Sequence, residues 1–279
     1  MIRRSETPPR GRFWARLTAS LRKTLCALMA AALLAQPALA ARNVQVQVDG
    51  TLLSARSYVE QGVTYVPLRS LLDAFGGWDL EWDSLEEEAV AVSASALLTA
   101  DPDGDIITLD GTNYDARVTV ENGRTYVPLR LVTEALGGAA EWDPYLDGAA
   151  VTSPEAVYDA ADLYWLSRII SAESGGEPLT GQIAVGNVVL NRVESEEFPD
   201  TIPAVIFDKV DATQFEPVEN GTVYNTPTAQ AVTAAKLVLD GENAIDDAMY
   251  FYAPALSQGI WINANRTYYK TIGCHRFYL

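Results

Sequence analysis

The acidic side chain whose surroundings best suit catalysis is Glu173, in the segment Ser171–Pro178. The apolar residues Leu163, Leu166 and Ile170 are spaced by three and four, as on one face of a helix. Three positions further along that face lies Glu173, so its carboxyl group is expected on the inward side of the last helical turn. Burial and the negative end of the helix dipole both raise the pKa of such a group. A carboxyl that stays protonated near neutral pH can act as a general acid, although a buried glutamate can equally be a structural hydrogen-bonding group.

The residues that follow Glu173 favour an open approach to it. Gly175 and Gly176 end the helix and leave a surface without side chains beside the acid. Glu177 comes after this break, beside Pro178, so it either lines the cleft or faces solvent. Outside Glu177, no carboxylate near Glu173 in the sequence stands out as a nucleophile.

From Ala172 onward the chain contains several motifs in a fixed order. The first two are Ala172-Glu173-x-Gly-Gly-Glu177-Pro178 and Gly181-Gln182-x-Ala184-Val185-x-Asn187-Val188-Val189-Leu190-Asn191-Arg192-Val193. The later ones are Phe198-Pro199-x-Thr201-Ile202, Gln214-Phe215, Met249-Tyr250-Phe251-Tyr252-x-Pro254 and Ile272-Gly273-x-His275-x-Phe277. They cover nearly all of residues 160–279, and this region resembles the spore cortex-lytic and cell-wall hydrolase family.

The resemblance implies a compact lysozyme-like fold and cleavage of the linkage between muramic acid and glucosamine in the glycan strands of peptidoglycan. It assigns the acid role to Glu173 and calls for no metal and no other cofactor. Several family members are lytic transglycosylases, in which the C6 hydroxyl of the sugar attacks its own C1 and yields a 1,6-anhydro product. A muramidase that adds water is the alternative within this class. A non-catalytic protein that grips the wall is the alternative outside it.

Nine further residues of this region are candidates for contact with the glycan. Gln182 and Asn187, on or near the second helix, could hydrogen-bond N-acetyl groups, but a packing or capping role fits them as well. Trp261 suits sugar stacking or ordinary packing. His275 suits a second acid/base role or, as a lone histidine near the chain end, a structural one. The remaining candidates are Glu177, Gln214, Phe215, Tyr250 and Tyr252.

Residues 41–151 contain an internal duplication. Three blocks recur 61 residues later, namely Val48-Asp49-Gly50, Tyr65-Val66-Pro67-Leu68-Arg69 and Phe75-Gly76-Gly77. Glu81-Trp82-Asp83 recurs 60 residues later, as Glu141-Trp142-Asp143, so one residue was lost after the glycine pair. Alternating valines, Asp-Gly turn dipeptides and a short apolar segment ended by glycine predict strands, hairpins and one short helix in each copy. The sequence therefore predicts a small α+β module that is present twice.

These duplicated blocks resemble the copper amine oxidase N-terminal-like (stalk) domain of bacterial surface proteins. The family name implies no copper here, because the one histidine of the chain, His275, lies far from the repeats and the sequence has no His/Cys cluster. A spacer or wall-binding module is one interpretation, and a structural domain without a ligand is the other. Trp78, Trp82 and Trp142 could stack on sugars, although such tryptophans are more often part of a core.

From Pro154 onward the pattern changes to helices. Apolar spacing and capping residues predict helices at 159–172, at 181–193 with Thr180 as N-cap, and at 228–240. The last thirty residues, rich in aromatic side chains, predict loops and a hairpin. We therefore predict an α+β multidomain protein, with two small α+β stalk repeats at 41–100 and 101–153 and a mainly α, lysozyme-like catalytic domain at 157–279.

The first forty residues have the composition of a signal peptide. Seven basic residues precede an apolar run of about eleven residues from Leu25 to Ala35, too short to span a bilayer, and Ala38-Leu39-Ala40 offers a cleavage pattern. Cleavage would export the chain to the wall or medium without a transmembrane segment; an uncleaved anchor is the alternative. Residues 1–40 hold seven of the 20 basic and one of the 37 acidic residues, so their loss changes the net charge from −17 to about −23. That charge argues against binding nucleic acid or anionic lipid.

Overall fold

The computed structural model describes residues 41–210 and 213–279. The predicted signal peptide, residues 1–40, lies outside this part of the chain. Among the described residues, no helix has both the length and the apolar character that crossing a bilayer requires.

The two copies of the repeat each form strands around one short helix, as predicted. The first copy consists of β1 (Arg42–Val48), β2 (Thr51–Leu52), β3 (Ser57–Glu60), β4 (Val63–Pro67), α1 (Leu68–Phe75), β5 (Trp78–Asp83) and β6 (Glu88–Ser93). Strand β7 (Leu97–Asp101) spans the boundary between the copies, and the second copy consists of β8 (Ile106–Leu109), β9 (Thr112–Asp115), β10 (Thr119–Glu121), β11 (Arg124–Pro128), α2 (Leu129–Ala135), β12 (Ala139–Asp143) and β13 (Gly148–Thr152). The short helix of the first copy ends at Phe75 and is followed by Gly76, as the sequence predicted.

The copies do not form two separate modules, because each sheet contains strands of both. One sheet has the order β10-β11-β4-β3-β1-β13-β12, and β2 pairs with β1; the other has the order β5-β6-β7-β8-β9. The copies meet where β4 pairs antiparallel with β11. Val66 faces its own counterpart Val127 there, and Tyr65 faces Pro128 while its counterpart Tyr126 faces Pro67. The duplication is therefore arranged about a local two-fold axis, as in a symmetric dimer.

The period of two along β4 and β11 separates a core face from a tyrosine face. Val66 and Val127 are both 0% exposed and pack into one core that spans the two copies. On the opposite face Tyr65 and Tyr126 lie against Tyr58, with ring centroids 5.3 Å apart for each pair that includes Tyr58.

The C-terminal part combines helices with a small sheet. Its elements are α3 (Ala160–Ser174), α4 (Leu179–Val193), α5 (Ile202–Ile206), α6 (Glu216–Asn220), a 3-10 turn (Thr222–Tyr224), α7 (Ala229–Leu239), β14 (Tyr250–Tyr252), α8 (Ile260–Asn265), β15 (Tyr268–Ile272) and β16 (His275–Tyr278). The last strands form an antiparallel sheet in the order β14-β16-β15, where the sequence predicted a hairpin. The described chain is therefore mixed α and β in its C-terminal part as well.

Side chains cap the starts of several helices in this part. Asp159 caps α3, and its side chain accepts hydrogen bonds from the backbone N–H groups of Ala161 and Asp162. Thr228 caps α7 in the same manner. The prediction of Thr180 as N-cap of α4 is wrong, because this helix already begins at Leu179, after Pro178. Proline fixes φ before the first turn, so the helix starts there without a side-chain cap.

The second copy of the repeat packs directly on the helical part. Leu146 belongs to the same apolar cluster as Trp165 and Ile169 of α3. The ring of Tyr145 stacks on Phe207 with a centroid distance of 4.3 Å. Residues 41–279 accordingly form one compact unit.

Candidate active site

Helix α3 holds Glu173 in its last turn, as the apolar spacing predicted. Leu166, Ile169 and Ile170 are 0% exposed and fix the helix in the interior of the C-terminal part. Its end is tied down at Ser171, whose hydroxyl oxygen accepts a hydrogen bond of 3.1 Å from the backbone N–H of Thr228, at the start of α7. The position of Glu173 is thus set by two packed helices rather than by a loop.

Glu173 lies on the wall of a cleft of about 510 Å³. The other residues of α3 that line it are Arg168, Ser171 and Ala172, and the facing wall includes Glu216, Asn220, Asn225 and Thr226. This wall is polar, and the cleft is large enough to admit a sugar ring.

Burial raises the pKa of the Glu173 carboxyl to about 7, and the negative charge of Glu216 adds to the rise. The positive charge of Arg192 lowers the same pKa, but by less. The carboxyl of Glu173 is therefore close to half protonated at neutral pH, which is the condition that a general acid requires.

Glu216 was missed by sequence reasoning, which named no carboxylate near Glu173 other than Glu177. It is the first residue of α6, it is exposed, and it lines the same cleft as Glu173. A signal was present in the sequence, since an acidic residue directly before Pro217 is typical of a helix start. Its proximity to Glu173 depends on how α6 packs, which local sequence does not show.

Two arginines surround the acid. Arg168 is 3% exposed, lines the cleft and lies over the ring of Tyr164, with its guanidinium carbon 3.4 Å from the ring centroid. Burial lowers the pKa of Arg168. Arg192, in α4, is 4% exposed, and burial lowers its pKa to about 10. The Nε–H of Arg192 donates to the carbonyl of Met249 at 2.9 Å, which ties down the loop before β14.

Glu177 has a partner outside the cleft. Its Oε2 accepts a hydrogen bond of 2.9 Å from the backbone N–H of Cys274, in the turn between β15 and β16. Gly273, with φ +57°, allows this contact, because a Cβ there would lie 1.7 Å from Glu177 Oε2. This geometry gives Glu177 a role in holding the turn.

The two side-chain amides that were predicted to contact N-acetyl groups make hydrogen bonds within the protein. The amide nitrogen of Gln182 donates to the carbonyl of Glu177 at 3.0 Å and to Gln230 Oε1 at 3.2 Å. Asn187 donates to the carbonyl of Glu242 at 2.8 Å and accepts from the backbone N–H of Ala244 at 2.9 Å. Both side chains are buried, so the structure favours the packing role for each.

Three other predicted contact residues meet at a second cavity, of about 790 Å³. Gln214, Tyr250 and Trp261 line it. The guanidinium carbon of Arg266 lies 4.1 Å from the ring centroid of Tyr250 and 5.6 Å from that of Trp261. The charge of Arg192 interacts both with Tyr250 of this cavity and with Glu173 of the cleft.

The last three candidates do not line the cleft of Glu173. Phe215 is buried, with its ring centroid 6.4 Å from that of Phe251. The hydroxyl oxygen of Tyr252 accepts a hydrogen bond of 3.0 Å from Asn263. His275 is buried with its ring edge-on to Phe251 at 5.3 Å, and burial lowers its pKa. Within residues 41–210 and 213–279, no group of three or more His, Cys, Asp or Glu side chains is arranged to hold a metal ion.

A carboxyl that titrates near neutrality on the wall of an open polar cleft defines an acid-catalyst type of site. Residues 176–278 match the Cell Wall Hydrolase family, and residues 47–147 match the Copper Amine Oxidase N-terminal Domain family. The chain therefore carries a cell wall hydrolase domain behind a domain of the copper amine oxidase N-terminal type. The first match begins just after Glu173.

The curated relatives match a little under half of the chain. A spore cortex-lytic enzyme of Bacillus cereus is 40% identical over 125 residues, which are 43% of this chain and 45% of that protein. A spore cortex-lytic enzyme of Halalkalibacterium halodurans is 35% identical over 126 residues, 45% of this chain and 37% of that protein. The chain thus spans less than half the length of these relatives.

A solved structure is similar to a comparable share of the chain. It is the catalytic domain of the germination-specific lytic transglycosylase SleB from Bacillus anthracis, which is 35% identical, with 44% of this chain and 98% of that chain covered and a TM-score of 0.40.

Proposed function

We propose that the chain is an exported enzyme that cleaves the glycan strands of peptidoglycan between muramic acid and glucosamine, as a lytic transglycosylase. The observation that carries the proposal is the Glu173 carboxyl, whose pKa is raised to about 7 on the wall of a sugar-sized cleft. The match to the cell wall hydrolase family and the names of the curated relatives support this substrate class.

One carboxyl can carry both proton transfers of this reaction. The protonated Glu173 donates its proton to the glycosidic oxygen as the bond from that oxygen to C1 breaks. The resulting carboxylate then takes the proton of the C6 hydroxyl as the C6 oxygen bonds to C1. The products are a free hydroxyl on the leaving sugar and a 1,6-anhydro ring, and Glu173 ends protonated as it began. The cleft geometry supports these steps because α3 holds the carboxyl rigidly.

The remaining parts of the proposal concern organisation and location. We assign the catalytic domain to residues 157–279, with a mainly α, lysozyme-like fold, and the stalk repeats to residues 41–100 and 101–153. Residues 1–40 serve as a signal peptide, so the mature chain acts in the wall or outside the cell.

Glu216 favours a muramidase as the second candidate. A glycosidase that adds water needs a second carboxylate, either as nucleophile or as base for the water. Glu216 lines the same cleft as Glu173 and is a carboxylate, so it is a candidate for that second group. The two candidates differ in product, because an anhydro end weighs one water less than a hydrolysed end.

Digestion of purified sacculi tests the proposal. We expect the chain to clear a suspension of sacculi and Glu173→Gln to lose about 10²–10⁴-fold of this activity, with folding unchanged. Glu219→Gln is the matched control, since it neutralises an exposed carboxylate of helix α6 that faces elsewhere. Mass spectrometry of the released fragments then separates anhydro from hydrolysed ends. Lysis by Glu173→Gln at the parent rate would remove Glu173 from the acid role, and absence of lysis by the parent would favour a non-catalytic wall-binding protein.

A further inference from the structure

The duplicated N-terminal part has two grooves at equivalent positions, one in each copy. The first groove, of about 510 Å³, is lined by Arg69, Glu81, Trp82 and Ala89 of the first copy. The second, of about 330 Å³, is lined by their counterparts Arg130, Glu141, Trp142 and Ala149 of the second copy. The two grooves lie at opposite ends of the β4–β11 pair, on which the local two-fold axis is centred.

Each groove is completed by a hairpin of the other copy. The β10–β11 turn contributes Gly123 and Thr125 to the first groove, and the β3–β4 turn contributes Gly62 and Thr64 to the second. The glycines have φ values of +73° and +81°, and a Cβ at either position would meet no atom within 4 Å. The turns thus keep both grooves open, and neither groove would exist in a single isolated copy.

A tryptophan with an accessible ring stands in each groove. Trp82 is 45% exposed and Trp142 is 42% exposed, whereas Trp165 in the C-terminal core is 0% exposed. Trp82 also lines a further cavity of about 460 Å³, beside Asp79 and Val90. A flat ring held at the edge of a strand offers an apolar face to the C–H groups of a pyranose ring and leaves the sugar hydroxyls free for polar contacts.

The polar groups beside the tryptophans are also equivalent. Arg69 donates a hydrogen bond of 2.5 Å to the carbonyl of Leu80, and Arg130 donates one of 3.2 Å to the carbonyl of Ala140, the counterpart of Leu80. Arg69 uses Nη2 and Arg130 uses Nε for these bonds, so each guanidinium is tied to an equivalent strand position. A guanidinium has five N–H donors, and the carboxylates of Glu81 and Glu141 accept hydrogen bonds, so each groove combines a platform with donors and acceptors.

We propose that the two grooves are a pair of carbohydrate sites, which bind the glycan strand that the C-terminal domain cleaves. The identity of the strand rests on the proposed function; the presence of two sugar sites rests on the duplicated grooves. Residues 41–153 carry 19 acidic and six basic residues, and this charge disfavours anionic polymers such as nucleic acid. Three of the six basic residues line the grooves: Arg69, Arg124 and Arg130.

The two sites differ in ways that predict a higher affinity for sugar at one of them. The guanidinium of Arg42 lies 5.6 Å from the ring centroid of Trp142, where it competes with a sugar for one face. The counterpart of Arg42 in the second copy is Asp103, so Trp82 lacks that neighbour. The first groove is also the larger and gains Arg124, whose counterpart is Val63. The Trp82 site is therefore the stronger one.

Co-sedimentation with purified sacculi tests the proposal. All variants are made in the full chain that carries Glu173→Gln, because this substitution prevents lysis and keeps the sacculi intact. We expect Trp82→Ala to weaken binding more than Trp142→Ala, and the double variant to weaken it at least about tenfold, because two linked sites bind with avidity. Leu85→Ala is the matched control. Leu85 is 92% exposed in the β5–β6 turn, so its replacement removes apolar surface that lies outside the grooves. Trp82→Phe, which keeps an aromatic platform, is expected to restore most of the binding.

The outcomes separate the two proposals. Parent-like sedimentation of a folded double variant would overturn the carbohydrate sites, as would unaltered tryptophan fluorescence when soluble glycan strands are added to the Glu173→Gln chain. If the double variant does not fold, that fluorescence titration and Trp82→Phe decide the question. If the chain with Glu173 intact lyses no sacculi while sedimentation of the Glu173→Gln chain depends on Trp82, the grooves are retained and the proposed chemistry is overturned.

Discussion

The indole Nε1–H of Trp165 donates a hydrogen bond of 2.7 Å to Oδ2 of Asp143, and both side chains are buried. Trp165 belongs to α3, which carries Glu173, and Asp143 is the last residue of β12 in the second repeat. A hydrogen bond to a charged acceptor in the interior is strong and directional. The repeat region therefore helps to position the helix of the acid and is more than a spacer attached to it.

Replacement of Asp143 tests this connection. Its Oδ1 also accepts hydrogen bonds from the backbone N–H groups of Tyr145 and Leu146, so Asp143→Ala loses a turn as well as the Trp165 contact. Asp83 is its counterpart in the first copy and holds the equivalent turn through Leu85 and Glu86. We expect Asp143→Ala to lose about 1–3 kcal/mol more stability than Asp83→Ala in urea unfolding. Equal losses would show that the Trp165 bond contributes nothing.

Local pattern was enough to predict the pieces that lie close together in sequence. The three-and-four spacing that ends at Ile170 placed Glu173 on the inward side of its helix, and the apolar segments ended by glycine predicted one short helix in each copy. Each of these features depends on residues within one or two turns of each other, and the periodicity of the sequence records such contacts.

Features that depend on pairing across the chain could not be predicted in this way. The β4–β11 pairing joins residues 59 to 63 positions apart, and two separate modules would show the same alternation of apolar residues. Glu216 lies 43 positions after Glu173, and its place in the cleft follows from the packing of α6. The same holds for Glu177, whose partner Cys274 is 97 positions away.

Neutralisation of Glu216 separates the two candidate reactions. The negative charge of Glu216 raises the pKa of Glu173, so Glu216→Gln lowers that pKa below about 7. A transglycosylase with one acid should keep its activity at low pH, and the alkaline limb of its pH profile should move to lower pH. A muramidase that uses Glu216 should instead lose about 10²-fold or more at every pH. The measurement is the initial rate of sacculus clearing between pH 4 and 9, with Glu219→Gln as the control.

Glu177 offers a test of a structural against a substrate role. Glu177→Gln keeps an oxygen that can accept from the backbone N–H of Cys274, whereas Glu177→Ala removes it. If Glu177 holds the β15–β16 turn, the alanine variant loses about 1–2 kcal/mol and the glutamine variant remains close to the parent in both stability and lysis. A glutamine variant that folds normally but lyses poorly would assign Glu177 to the substrate instead.

The raised pKa of Glu173 predicts how stability changes with pH. The ordinary pKa of a free glutamate is 4.5, and burial in the folded chain raises the pKa of Glu173 to about 7, so the folded state binds the proton more tightly than the unfolded state. The stability that this proton contributes is present below pH 4.5 and is lost as the pH rises to about 7. Glu173→Gln carries no charge at any pH, so it should be about 1–3 kcal/mol more stable than the parent at pH 8, and this gap should close towards pH 4.5. Urea unfolding of both chains across that range measures the gap, and Glu219→Gln should show a gap that changes little. A gap for Glu173→Gln that is the same at pH 4.5 and pH 8 would mean that position 173 titrates like a free glutamate, and the acid role would then lose its physical basis.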